Sequence, residues 1–182
     1  MKRTLFLVVA LACASSVGRA DDTAGLTLRI APTKTTWKIK DFPIVRVSLR
    51  NDGLEPASLV SVGDGSDVAW RSPVIRWQLL PLKGAKPCPT QIVPRCGNMN
   101  PLEERELFSL APGDSKAWLS AVPLRGWKVP RPGRYRLVLF YRNDPNLRWR
   151  SEAQEKPELL ERVRDTTPCS LKSNEIVLNL TR

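Results

Sequence analysis

Apolar and polar residues alternate with period two through several short segments of this chain, as they do in strands that bury one face. The clearest case is 133–142 (GRYRLVLFYR). There Tyr135, Leu137, Leu139 and Tyr141 share one face, and Arg134, Arg136 and Arg142 lie mostly on the other. Residues 43–50 repeat the pattern, with Val45, Val47 and Leu49 opposed to Arg46, Ser48 and Arg50. Ile75, Trp77 and Leu79 alternate through 74–80, and Ile176, Leu178 and Leu180 through 174–180. Shorter or weaker strands are predicted at 26–30, 35–39, 57–62, 106–110 and 115–120.

Turn chemistry separates these segments. Asn51-Asp52-Gly53 ends one strand, and Ala111-Pro112-Gly113-Asp114 joins two others, through residues that favour turn and left-handed conformations. Short, regularly punctuated strands predict an all-β fold: a single immunoglobulin-like antiparallel β-sandwich of about eight strands. Its two inner faces would pack about 10 Å apart. One short helix is expected over 156–164, with Pro157 in its first turn and Glu158, Glu161 and Arg162 spaced for charge pairs. Two long loops, 81–104 and 143–173, break the rhythm. Such loops carry function or cover the open edge of a sheet. With neither repeat nor linker, one domain is expected over 21–182.

The N-terminus fixes the expected compartment. Lys2 and Arg3 precede a short apolar run from Thr4 to Ala12, and Gly18 and Ala20 supply small residues for cleavage before Asp21. Residues 1–20 therefore read as a signal peptide, with a second cleavage site after Ala14 as an alternative. Leu11-Ala12-Cys13 loosely resembles a bacterial lipobox, although Ala10 stands where Leu is usual, so a lipid anchor at Cys13 is a further alternative. No later apolar run approaches the roughly 20 residues of a membrane helix. The mature protein is expected to be secreted or periplasmic, with no membrane span.

Export changes the charge. Lys2, Arg3 and Arg19 leave with the signal and no acid does, so a net charge of +11 falls to +8. The positive balance suggests an anionic partner: an envelope polymer, phospholipid headgroups or an acidic protein. Solvation of strand faces by arginine is the plainer reading. The basic residues are spread along the chain, without the runs typical of nucleic-acid binding, so no nucleic acid is expected.

The chain contains no histidine. That removes Ser-His-Asp and Cys-His catalysis, every imidazole zinc site and the usual general base near neutral pH. No metal or other cofactor is expected. Of four cysteines, Cys88, Cys96 and Cys169 remain after export. An oxidising compartment predicts a disulfide, and Cys88 with Cys96 in one loop is the expected pair. Cys169 is then a reactive thiol, an intermolecular bridge, a buried small residue, or the true partner of one of the other two. Asp64-Gly65-Ser66-Asp67 reads as a cation loop or an ordinary turn. Glu103, Glu104 and Glu106 read as a hydrolase-like carboxylate group or a solvated strand entry.

Six tryptophans remain to be placed. Trp77 is expected in the core, and Trp37 and Trp118 in or beside it. Trp70, Trp127 and Trp149 each lie near a loop with a basic neighbour: Arg71, Lys128, and Arg148 and Arg150. Indole beside guanidinium suits binding of a sugar, a peptide or an anionic polymer. Packing of the loops onto the sandwich is the competing reading. The candidate binding set is Trp70, Arg71, Trp127, Lys128, Trp149 and Arg150.

Three stretches carry a resemblance: 44–53 (IVRVSLRNDG), 110–113 (LAPG) and 132–137 (PGRYRL). Together they resemble the immunoglobulin-like domains of bacterial exported proteins, and more distantly the BsuPI-type proteinase inhibitors. Residues 95–102 (RCGNMNPL) resemble a segment of uncharacterised exported sandwich proteins. The resemblance implies the fold over most of 26–180 and leaves function open, because such sandwiches host many roles. The expected function is a non-catalytic exported binding or structural module of the cell envelope, not an enzyme. A proteinase-inhibitor-like protein is the alternative.

Overall fold

Strands β1 (Leu26–Pro32), β3 (Ile44–Asn51) and β7 (Ser115–Ala121) form one sheet in the order β1-β3-β7. A second sheet runs β2 (Thr36–Lys38), β10 (Ile176–Thr181), β8 (Gly133–Asn143), β5 (Val74–Pro81), and β9 (Cys169–Lys172) also pairs with β8. A two-stranded ribbon of β4 (Ala57–Val60) and β6 (Leu107–Leu110) completes the β structure. This is a computed structural model, and it describes residues 25–83, 86–89, 97–122, 126–129 and 131–182. The expected signal peptide, Cys13 and Cys96 lie outside the described residues.

Alternation does the work it promised. Leu26, Leu28 and Ile30 of β1 and Val45, Val47 and Leu49 of β3 are buried in register, with Ile30 opposite Val47. From the other sheet, Tyr135, Leu137, Leu139 and Tyr141 of β8 meet the same core cluster as Ile176, Leu178 and Leu180 of β10. One continuous core between two sheets defines an immunoglobulin-like β-sandwich. Each fully buried aliphatic side chain contributes about 1.5–3 kcal/mol through water exclusion. Tyr135 adds a fixed corner, because its hydroxyl donates to the Arg131 carbonyl at 2.5 Å, four residues upstream. The same device marks the corner before a central strand in immunoglobulin domains.

Three expectations need correction. Among the described residues there are ten strands, not about eight. The strand missed entirely is β9, four residues inside the long connection, too short to show a period. The sheets are also not wholly antiparallel: β2 runs parallel to β10 over three residue pairs, from Thr36 opposite Asn179 to Lys38 opposite Thr181. Trp77 is half-buried at the margin of the core, because β5 ends its sheet and leaves one flank of a large ring uncovered.

The breaks in the sheets are plugged. Between β9 and β10, Ser173 keeps contact with β8: its N–H donates to the Leu139 carbonyl at 2.9 Å, and its hydroxyl accepts from the Leu139 N–H at 2.9 Å. Asn174 then turns to the opposite sheet. Its carboxamide accepts from the Ile30 N–H at 2.8 Å and donates to the Ile30 carbonyl at 3.0 Å. On the outer edge of β5, the Leu79 carbonyl accepts from the Cys88 N–H at 2.7 Å, and the Pro89 carbonyl accepts from the Lys128 N–H at 2.9 Å. Residues 88 and 89 of the first long loop thus lie along that edge. Cys88 is a buried free thiol; its expected partner Cys96 is not among the described residues.

Helix α1 (Pro157–Arg164) forms as expected, with Pro157 at its start and Leu159 and Val163 turned inward. They join Val60, Leu102 and Trp149 in a second, smaller cluster. This cluster seats the second long loop and the 97–106 segment at one end of the sandwich.

Candidate functional site

Four of the six candidate binding residues meet at that loop end. A tight turn prepares Trp70. Gly65 takes φ 85°, a short 3-10 turn covers Ser66–Val68, and the Trp70 N–H donates to the Gly65 carbonyl at 3.0 Å. A side chain at Gly65 would strike Met99 and Trp70, with the Met99 sulfur 2.8 Å from the added carbon, and the positive φ is costly for other residues. Trp70 is half-buried, and the exposed guanidinium of Arg150 lies 4.1 Å from its ring centre. The Arg150 N–H donates to the Trp70 carbonyl at 2.8 Å, which fixes the two chain segments side by side. This is cation–π geometry with the cation left open to solvent.

Arg71 departs from expectation. It is 1% exposed and cannot reach a ligand at the surface. Its guanidinium forms a two-point ion pair with Glu106: Nη1 donates to Oε2 at 3.2 Å, and Nη2 donates to Oε1. Arg71 Nε is buried without a hydrogen-bond partner among the described residues. Glu106 Oε2 also accepts from the Glu103 N–H at 2.9 Å, within a capping box. Gly63 makes the pair feasible, because a side-chain carbon there would fall 1.5 Å from Arg71 Nη2. The Arg71 guanidinium carbon also lies 5.7 Å from the ring centre of Trp149.

Trp149 is buried in the smaller cluster, so the packing reading holds for it. The same is true of Trp127, which belongs to the main core. Lys128 is exposed beside the β5 edge cover and takes no part in the loop-end arrangement. A large apolar ring between a loop and a sheet gains most by filling space, and that overrides the basic neighbour in sequence.

Sequence reasoning missed Glu106 as the partner of Arg71, and it missed Glu155. The latter is buried, and its Oε2 accepts the Leu102 N–H at 2.8 Å, tying the second long loop to the first. Glu155 is separated from Leu102 by 53 positions, so no local pattern could reveal the contact. The three glutamates that read as a carboxylate group or a solvated strand entry are engaged in ion pairs. Glu103 meets Arg105 at 2.5 Å, Glu104 meets Arg162 at 2.8 Å and Glu106 meets Arg71. Asp64 accepts from the Asn100 N–H at 3.1 Å, as a turn residue does. Beside Trp149, a shallow cavity of about 310 Å³ opens between Leu147, Leu160, Arg148 and Arg164, with Glu152 paired to Arg164 at 3.2 Å.

The remaining thiol is poorly disposed to react. Burial pushes the Cys169 pKa from 9.0 up to about 11, and the Cys88 thiol is shifted upward for the same reason. Thiolate is the nucleophilic form, so both sites are quiet near neutral pH.

No protein-family model matches this chain, and no curated protein matches it. Solved structures are similar in fold. The sporulation control protein Spo0M of Bacillus subtilis aligns at 6% identity and TM-score 0.39, over 87% of this chain and 50% of that one. The chain thus spans half the length of that protein. A CARDB domain from Pyrococcus furiosus, solved in complex with di-metal ions, aligns at 10% identity and TM-score 0.34, covering 86% of this chain and 87% of the other. The ASH/PapD-like domain 7 of human CEP192 aligns at 11% identity and TM-score 0.26, over 93% and 98%. At such values no ligand or activity passes from these proteins to this chain.

Proposed function

We propose that this protein is an exported, non-catalytic binding module of the cell envelope, secreted or periplasmic, whose contact surface is the loop end around Trp70 and Arg150. Its partner is an envelope protein or an anionic envelope polymer. The observation that carries this reading is the Arg150 guanidinium stacked at 4.1 Å on Trp70 and open to solvent. Beneath it, the Arg71–Glu106 pair and the Glu155–Leu102 contact hold three loops in one arrangement. A preorganised loop surface loses less entropy on engaging a partner. The absence of histidine from the whole chain removes the commonest catalytic base, which favours recognition over chemistry.

A photo-crosslinking residue at position 150 tests the proposal in cells, with position 46 on the first sheet as control. Adducts at 150 and none at 46 are expected, and protease or polysaccharide-degrading treatment of the adduct separates the two partner classes. Recovery of the full chain from the cytoplasm, or the absence of any adduct at 150, overturns the reading. Micromolar inhibition of a protease panel would instead assign the activity that the BsuPI-type resemblance implies.

A further inference from the structure

The outer face of the second sheet, turned away from the core, gathers charge independently of the loop end. Inward burial of Tyr135, Leu137, Leu139 and Tyr141 places Arg134, Arg136, Val138, Phe140 and Arg142 of β8 on that face. Register supplies their neighbours: Leu80 and Val177 flank Arg136, and Arg76 and Lys172 flank Phe140. Among the described residues, five cations of β5, β8 and β9 therefore share this face, namely Arg76, Arg134, Arg136, Arg142 and Lys172. Among the described residues, two carboxylates pair with them. Glu175 bonds Arg136 at 3.3 Å and lies 3.8 Å from Lys172, and Asp144 pairs with Arg142. These five cations outnumber the two carboxylates paired with them by three.

Two of the guanidiniums lie low on the sheet. Arg76 sits 4.7 Å from the ring centre of Phe140. Arg136 has a buried Nε while its side chain remains 38% exposed, so its stem runs along the surface and its Nη1 reaches Glu175. Apolar ground lies beside them: Leu82 and Val177 are 39% and 37% exposed. Along a strand, successive positions on one face are about 6.8 Å apart. Arg134 and Arg136 are one such interval apart, and Arg142 stands three intervals further on, about 20 Å. Arg76 fills the gap from the neighbouring strand, opposite Phe140.

We propose that this face binds a linear polyanion laid along β8, with phosphate or carboxylate groups at about the strand interval of 6.8 Å. The sheet's right-handed twist carries the ends of such a row out of any common plane. A flexible polymer can follow that twist, whereas a flat lipid surface cannot meet all five cations at once.

The test uses the exported protein with three probes: long-chain inorganic polyphosphate, polygalacturonate and phosphatidylglycerol vesicles. Binding to polyphosphate or polygalacturonate that weakens with salt is expected, and whichever is preferred identifies phosphate or carboxylate as the recognised group. Arg76→Gln with Arg134→Gln should lower polymer affinity about tenfold or more and reduce the logarithmic salt slope by about two. Arg29→Gln with Arg46→Gln removes the same charge from the outer face of the first sheet, and should change affinity by less than about twofold if position matters. Thermal unfolding of both double variants verifies that the fold is kept. Equal losses from the two pairs would reduce the effect to bulk charge and overturn the inference. So would failure of both polymers to bind, or binding to vesicles alone. Loss of polymer binding in Trp70→Ala, with none in the Arg76/Arg134 variant, would move polymer binding to the loop end, overturning this inference while sustaining the earlier reading.

Discussion

A guanidinium with 1% exposure must be matched inside the protein, and Glu106 is what matches Arg71. Removing one member of a buried pair strands the other, which is worse than removing both. Glu106→Gln should therefore cost about 2–4 kcal/mol in urea unfolding, while Arg71→Met combined with Glu106→Leu should cost less than the two single changes summed. Gly63→Ala should resemble the loss of Arg71, because the added methyl occupies the guanidinium's place. A second residue-scale effect concerns Cys169. Its folded pKa of about 11 lies above the ordinary 9.0, so the folded state keeps the proton longer than the unfolded chain does. That stability is fully present below pH 9 and is lost as pH rises through about 11. Cys169→Ala should flatten the fall in melting temperature across that window. Tyr141 is shifted well above 10 by burial and continues the decline at higher pH. None of these partnerships was legible in the sequence. Arg71 looked like surface equipment beside Trp70, because composition cannot show that residue 106 folds back against residue 71.

Elements were more legible than contacts. Long alternating segments such as β3 and β8 reveal themselves, because burial of one face imposes the period that the eye detects. Helix α1 was equally plain from Pro157 and its charge spacing. By contrast, β9 has only four residues and went unseen, while β2, with only three, lies inside the weak strand expected at 35–39. Such strands exist because a neighbour pairs with them. The join between β9 and β10 depends on Asn174, whose two hydrogen bonds to Ile30 link the sheets. Asn174→Ala should destabilise the protein by about 1–3 kcal/mol in denaturant titration, the range for two lost backbone partners. Asn174→Asp should retain the acceptor and lose the donor, and so fall between Ala and wild type.

At the scale of the whole molecule, two apolar clusters of unequal size divide the labour. The larger joins both sheets, and the smaller, around Val60, Leu102, Trp149, Leu159 and Val163, seats the loop end. Smaller clusters open at lower free energy than the main core. Leu159→Ala should speed hydrogen exchange at Leu102 and Arg150 while leaving the amides of Leu137 and Leu139 nearly as slow as before. Uniform acceleration would show that the two clusters melt as one. The carboxamide of Asn174 has a consequence beyond a single molecule. Strands at the rim of a sheet are templates for recruiting other chains, and β1 is such a rim. By occupying both the donor and the acceptor of Ile30, the side chain acts as a counterfeit peptide unit and leaves an intruding strand nothing to zip onto at that point. The residue that joins the halves of the sandwich thus also guards its border against strand-on-strand growth at that point.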